Sequence, residues 1–230
     1  MATNAAAGAP ARNGVSPGQV GVLAQVIFAA ALAAVALAAG EPSPEPVPRG
    51  IALGLLYAAP AAVAFLGMRG GRKSLLVGAA IADVGGAPLS WSGFTLLFLV
   101  PAILFVGETG RIPAGTRASI GLRLSGLLLA IAVAGLLVGA GLALLALTEP
   151  LCWIATHGAT DTAYTIVPTA ENVPIGSGQS GGCTSAAITL GGAGTAAVLA
   201  IGAIALAALG ASVGRVAPGA RAGSEVERPS

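Results

Sequence analysis

Asp83 is the one acidic residue of this chain that falls inside a long apolar run, the stretch from Ser74 to Gly107. An ionised carboxylate at the centre of a bilayer costs about 2.5 to 3.5 kcal/mol on insertion scales. Such a residue is a candidate ion or proton site. A plainer reading is that Asp83, about ten residues into a short arm, reaches the interface or caps the broken backbone at Gly85-Gly86. That reading is preferred, because polar groups near helix ends reach water cheaply. His157 is the only histidine and shares a polar segment with Asp161 and several serines. A base, an acid and a nucleophile are thus present on paper, but nothing in a Gly-rich loop orders such a triad. Zinc wants three or four ligands, so no metal centre is expected at a lone histidine. No Walker loop, zinc spacing or dinucleotide fingerprint occurs, and no cofactor is expected. The only two cysteines, Cys152 and Cys183, bracket the polar segment, and in an oxidising compartment they read as one disulfide closing it.

The elements that position these residues are membrane helices. Of 230 residues, 55% are hydrophobic and 9% charged, and the mean hydropathy is +0.88. A soluble domain carries about 25% charged residues. The apolar residues also fall in runs of roughly 20, the length that spans a hydrocarbon core as helix. Net charge is +2, so no nucleic-acid partner is implied.

Six segments are expected: about 20–40, 51–68, 74–88, 91–107, 124–147 and 186–213. Residues 1–19 and 215–230 read as disordered tails around a transmembrane domain over 20–214. In the first segment, Ala36-Leu37-Ala38 also fits a small-x-small cleavage site, though the apolar core is longer than a usual signal core. The connector Glu41–Arg49 holds four prolines and reads as extended. Pro60 and Pro101 lie inside apolar segments as candidate hinges, and Pro60 should free a backbone carbonyl within the membrane. Gln25 and Tyr57 read as hydrogen bonders between helices.

Ser74–Gly107 decides the topology. As one helix it would run about 50 Å, against a core of about 30 Å. Its middle, Gly85 to Gly93, is full of helix breakers. Folded back as a hairpin, it leaves Arg12, Arg69, Arg72, Lys73, Arg111, Arg117, Arg123, Arg215, Arg221 and Arg228 on one side. Only Arg49, of the 11 Lys and Arg, is then on the other. A single crossing would split them four against seven. The positive-inside bias therefore selects the hairpin, with both termini cytoplasmic. Two full crossings are preferred over a re-entrant hairpin.

The segment 148–185 then faces outside, with Cys152 and Cys183 in it. Ala163–Val167 reads as a short strand and Gly176–Gly182 as flexible, so that a small stapled hairpin is expected in an otherwise all-α bundle. Gly126, Gly135, Gly139, Gly210 and Gly214, with Ala130 and Ala134, form small-residue stripes that allow close helix approach and leave room for a homo-oligomer.

The stretch Ser90-Trp91-Ser92-Gly93-Phe94-Thr95-Leu96-Leu97-Phe98-Leu99-Val100-Pro101-Ala102 resembles a pattern in uncharacterised small multi-pass membrane proteins of high-GC actinobacteria. There a Ser-Gly-x-Thr-Leu turn precedes an apolar helix containing Pro-Ala. The resemblance implies a bacterial inner-membrane location and no activity.

These features point to a non-enzymatic membrane protein that works as an accessory or interaction partner, through its exoplasmic loop and small-residue helix faces. The reading from another class is a small transporter or channel-like protein using Asp83.

Overall fold

The computed structural model describes residues 14–38, 46–86, 97–112, 120–158, 162–167 and 176–213. They form helices α1 (Pro17–Ala38), α2 (Pro46–Gly70), α3 (Lys73–Gly86), α4 (Leu99–Thr109), α5 (Ile120–Ala146) and α6 (Leu190–Val213). Strands β1 (Thr148–His157), β2 (Thr162–Val167) and β3 (Gln179–Ile188) lie between α5 and α6. Four helices, α1, α2, α5 and α6, are long and apolar enough to cross a bilayer. By length and composition this is a multi-pass membrane protein.

Local chemistry sets where the helices begin and end. α1 starts earlier than expected, inside the stretch read as a disordered tail. Ser16-Pro17-Gly18-Gln19 is a capping box: Gln19 N–H donates to Ser16 Oγ at 3.2 Å, and Ser16 N–H donates to Gln19 Oε1 at 3.0 Å. Pro17 fits the first helical position, where its missing N–H is no loss. α2 also starts earlier than expected, within the connector before it. Residues 46–49 are its first turn rather than extended chain, because Pro46 and Pro48 sit where intrahelical donors are not needed. α2 ends in a Schellman motif. Arg72 N–H donates to Gly67 O at 2.8 Å and Gly71 N–H to Met68 O at 3.2 Å, with Gly71 at φ +62°. That tight turn sends α3 back antiparallel against α2.

Contacts between elements place the helix ends on two faces. Gly18 at the start of α1 lies against Met68 near the end of α2 and Glu108 near the end of α4. Gly70 at the end of α2 meets Ala211 near the end of α6, and Gly126 early in α5 meets Ser74 early in α3. On the opposite face Gly50 of α2 meets Leu37 of α1, and Gly192 of α6 meets Leu147 after α5. The chain thus enters and leaves the 74–107 stretch on one face, as a hairpin does. Arg69, Arg72, Lys73, Arg111 and Arg123 cluster at that same face, and the sheet stands at the other.

Among the described residues, the arms of the 74–107 stretch are α3, of 14 residues, and α4, of 11. At 1.5 Å per residue they reach about 21 and about 17 Å, against a core of about 30 Å. Neither arm crosses as helix by its own length, and residues 87–96 between them lie outside the described ones.

The bundle core is built of small residues. Ala193, Ala196, Ala200, Ala203, Ala207 and Ala211 form a buried stripe along α6, which packs on α2 and α5. Spacings of three and four keep these residues on one face, and their small size lets backbones close up. Larger side chains fill what remains: Leu75, Leu76, Val63, Phe105 and Val133 are fully buried.

The all-α expectation is corrected by the sheet. β1 pairs antiparallel with both β2 and β3, in the order β2-β1-β3. Cys152 and Cys183 stand opposite each other in the β1–β3 ladder and are disulfide-bonded. A register shift falls between Glu149 and Leu151, where Pro150 has no N–H to give the ladder. Gly181 and Gly182, expected in a flexible run, are ladder residues. Gly182 faces Trp153, and a Cβ there would fall 2.8 Å from the indole. The glycine is needed so that the ring can lie across the neighbouring strand.

Candidate functional site

The residues sequence analysis singled out separate into a buried group in the bundle and an exposed group on the sheet. The buried group centres on Asp83. α3 turns its Leu76, Ala79, Ala80 and Asp83 face into the bundle, so that the carboxyl is only 4% exposed. Gln25 of α1 is fully buried opposite it. Gln25 Nε2 donates to Asp83 Oδ1 at 2.6 Å and to the Tyr57 carbonyl oxygen of α2 at 3.2 Å. Tyr57 lies in the turn that precedes Pro60, where a missing N–H loosens the helix's own bonding. Three helices are therefore tied at one point by a single amide. The nitrogen lies between two acceptors, which fixes the orientation of the Gln25 amide.

Asp83 neither reaches the interface nor caps Gly85-Gly86; its partner is a side chain 58 positions earlier in the chain. Two atoms of the pair, Gln25 Oε1 and Asp83 Oδ2, are buried without a hydrogen-bond partner. Phe98, just before α4, stacks on Tyr57 with ring centroids 5.0 Å apart and meets Phe28 edge-on at 6.2 Å. These rings join α1, α2 and the start of α4.

A second carboxylate also holds α1. Glu108, one residue past the expected end of the fourth segment, belongs to α4 and is 9% exposed. Its Oε2 accepts the Gly18 N–H at 3.0 Å. A negative group at a helix N-terminus satisfies a free donor and opposes the positive end of the helix dipole. The α3–α4 hairpin thus grips α1 twice, through Asp83 in its middle and Glu108 at its start. On its other side the hairpin has an apolar groove of about 610 Å³ between Val77, Ile81, Val84, Ile103 and Val106, which Asp83 does not line.

The exposed group centres on His157 at the end of β1. Its Nδ1 lies 3.4 Å from Thr162 Oγ1 of β2 and its Nε2 lies 3.0 Å from Ser180 Oγ of β3. The ring bridges all three strands through hydroxyls. Asp161 lies outside the described residues. A working triad needs an orienting acid and donors for an oxyanion. An exposed imidazole held by Thr162 and Ser180 is a polar cross-link of the sheet. Among the described residues, no three of His, Cys, Asp and Glu come together as metal ligands.

The helix-packing glycines behave unequally. A Cβ on Gly210 would fall 2.5 Å from a methyl of Leu129, so a larger residue here would have to push that side chain aside. Gly126 and Gly139 have ordinary neighbours at 3.6 and 3.8 Å, and Gly135 faces open space. Gly214 lies outside the described residues. Close backbone approaches lie elsewhere: a Cβ on Gly192 of α6 would fall 2.8 Å from the Leu147 carbonyl oxygen, and one on Gly78 of α3 would fall 3.1 Å from the Ala130 carbonyl oxygen of α5.

Compared with known proteins, the chain matches no family model, no curated protein and no solved structure.

Proposed function

We propose that this is a non-enzymatic accessory protein of the bacterial inner membrane that presents a disulfide-closed sheet to an extracytoplasmic partner. The observation that carries the reading is the division of labour between its two regions. In the bundle, each buried polar side chain among the described residues, Gln25, Asp83 and Glu108, is engaged in joining one helix to another. The sheet displays Tyr164 and Ile166 on one face of an edge strand, 47% and 41% exposed. Unpaired strand edges bearing apolar side chains are surfaces other chains recognise. Clustered basic residues at the other face support a cytoplasmic position for that face and an outside position for the sheet. The test is a photo-crosslinking amino acid in place of Tyr164, irradiated in native membranes. A discrete adduct, lost when Cys152 and Cys183 are replaced by serine, supports the reading. Absence of any adduct at Tyr164 and at Ile166 would sink it.

A second reading, a small transporter or channel-like protein for protons or small cations, is favoured by the unpartnered oxygens of Gln25 and Asp83 inside the bundle. Its test is flux in proteoliposomes. Flux carried by the native chain and lost in Asp83→Asn supports transport; flux that is absent or unchanged removes it.

A further inference from the structure

The Gln25–Asp83 pair is short of one donor. The amide has two N–H groups, and both are used, on Tyr57 O and Asp83 Oδ1. What remains is two acceptors, Gln25 Oε1 and Asp83 Oδ2, both buried and both without a partner. They belong to two planar groups already joined at their neighbouring atoms by a 2.6 Å bond.

We propose that this pair is a binding site for a single proton, held on Asp83 Oδ2 and donated to Gln25 Oε1. One hydrogen then satisfies both atoms and closes a ring of two parallel hydrogen bonds between acid and amide. The proton bridges α1 to α3 while the same amide holds α2 through Tyr57.

Other occupants fit less well. A water molecule could donate to both oxygens, but it would leave a charged carboxylate with no countercharge. Among the described residues, α1 and α6 carry no ionisable side chain. The ionisable groups of the helices packed near Asp83 are Arg49 and Arg69 at the ends of α2, Lys73 at the start of α3, Glu108 near the end of α4 and Arg123 early in α5. Tyr57 contributes its carbonyl and places its ring on Phe98. An unpaired charge in apolar surroundings is costly, and a proton removes the charge as well as the unmet bonds. Hard cations such as calcium and magnesium take six or more oxygen ligands, whereas this pair offers two free oxygens. Such a held proton needs no movement of ions through the protein.

The chain has only two aspartates, Asp83 and Asp161. Asp161→Asn therefore leaves Asp83 as its only aspartate carboxyl and does not alter the buried pair. The full-length Asp161→Asn protein, labelled with carboxyl-¹³C aspartate and reconstituted in liposomes near neutral pH, is examined by isotope-edited infrared spectroscopy. The expected result is a labelled carbonyl band of a protonated acid that moves in D₂O. Gln25→Leu should shift that band or abolish it. The proposal is overturned by a labelled band of an ionised carboxylate, which would mean a water or cation bridge. Loss of the acid band on adding sodium or potassium ions would likewise overturn it and assign the site to a metal cation. A band unmoved by Gln25→Leu would overturn it too, since the proton on Asp83 would then not be donated to Gln25. Should Gln25→Leu fail to give folded protein, ¹⁵N labelling of the glutamine amide in the Asp161→Asn background reads the same bond through the amide's shift.

Discussion

The bundle and the sheet solve the same problem, holding chain segments together without a large core, by opposite means. In the bundle the joints are close approach and burial. Alanines along α6 and glycines at Gly70, Gly78 and Gly210 bring helices within contact, and one buried amide ties α1, α2 and α3. In the sheet the joints are backbone ladders, one covalent bond and exposed polar cross-links. Ala155 is its one buried apolar side chain among the described residues. Polar side chains accordingly differ in weight. Gln25 makes its contacts at a fully buried position, whereas His157 makes similar contacts in solvent, where water can substitute for Thr162 and Ser180.

The largest effect expected from this contrast lies in the sheet. Replacing Cys152 and Cys183 by serine should cost the sheet about 3 to 4 kcal/mol, the loop-closure value for a crosslink of this span. Proteolysis should then open residues 148–188 while the helices stay protected. Equal loss of protection in both regions would show that they are not separate in stability. Next comes Gly78→Val, which drives a branched side chain into the α5 backbone at Ala130 and should cost roughly 1 to 3 kcal/mol or more. Gly135→Ala on the open side of α5 is the matched control and should leave the melting temperature unchanged or slightly raised. Gln25→Leu removes the donor to Asp83 and to Tyr57 and should cost about 1 to 3 kcal/mol in a detergent melt. The smallest effect belongs to His157→Ala, expected within about 0.5 kcal/mol because the ring is exposed. A cost for His157→Ala as large as that for Gln25→Leu would erase the distinction between the two regions.

What was legible in the chain followed from properties that act along it. Run lengths and charge bias located the four long helices and the return of residues 74–107. Two cysteines in one polar segment were enough to pair them. Asp83 stood out because its cost in an apolar run is independent of its neighbours. Its partner did not, because Gln25 lies on another helix and no local spacing joins them. Ser16-Pro17-Gly18-Gln19 carried a readable start signal, but the Ala- and Gly-rich residues before it resembled a tail. The alanine stripe of α6 has clear helical spacing, yet in a chain this rich in alanine such a pattern also arises on lipid-facing surfaces. The sheet was only partly visible. Gly181 and Gly182 read as flexible until both are seen paired to β1 and Trp153 is seen lying across Gly182, a contact between strands that the order of residues does not disclose.

The most direct measurement is the sidedness of the sheet. Tyr164→Cys, in an otherwise native chain with its disulfide intact, places a reactive thiol at an exposed position on β2. Intact cells are treated with a membrane-impermeant maleimide, with a cysteine introduced beside Lys73 as the opposite marker. The account predicts that residue 164 is labelled from outside and that the marker is labelled only after permeabilisation. Labelling in the reverse order would put the sheet in the cytoplasm, contradict the charge argument and remove the extracytoplasmic partner.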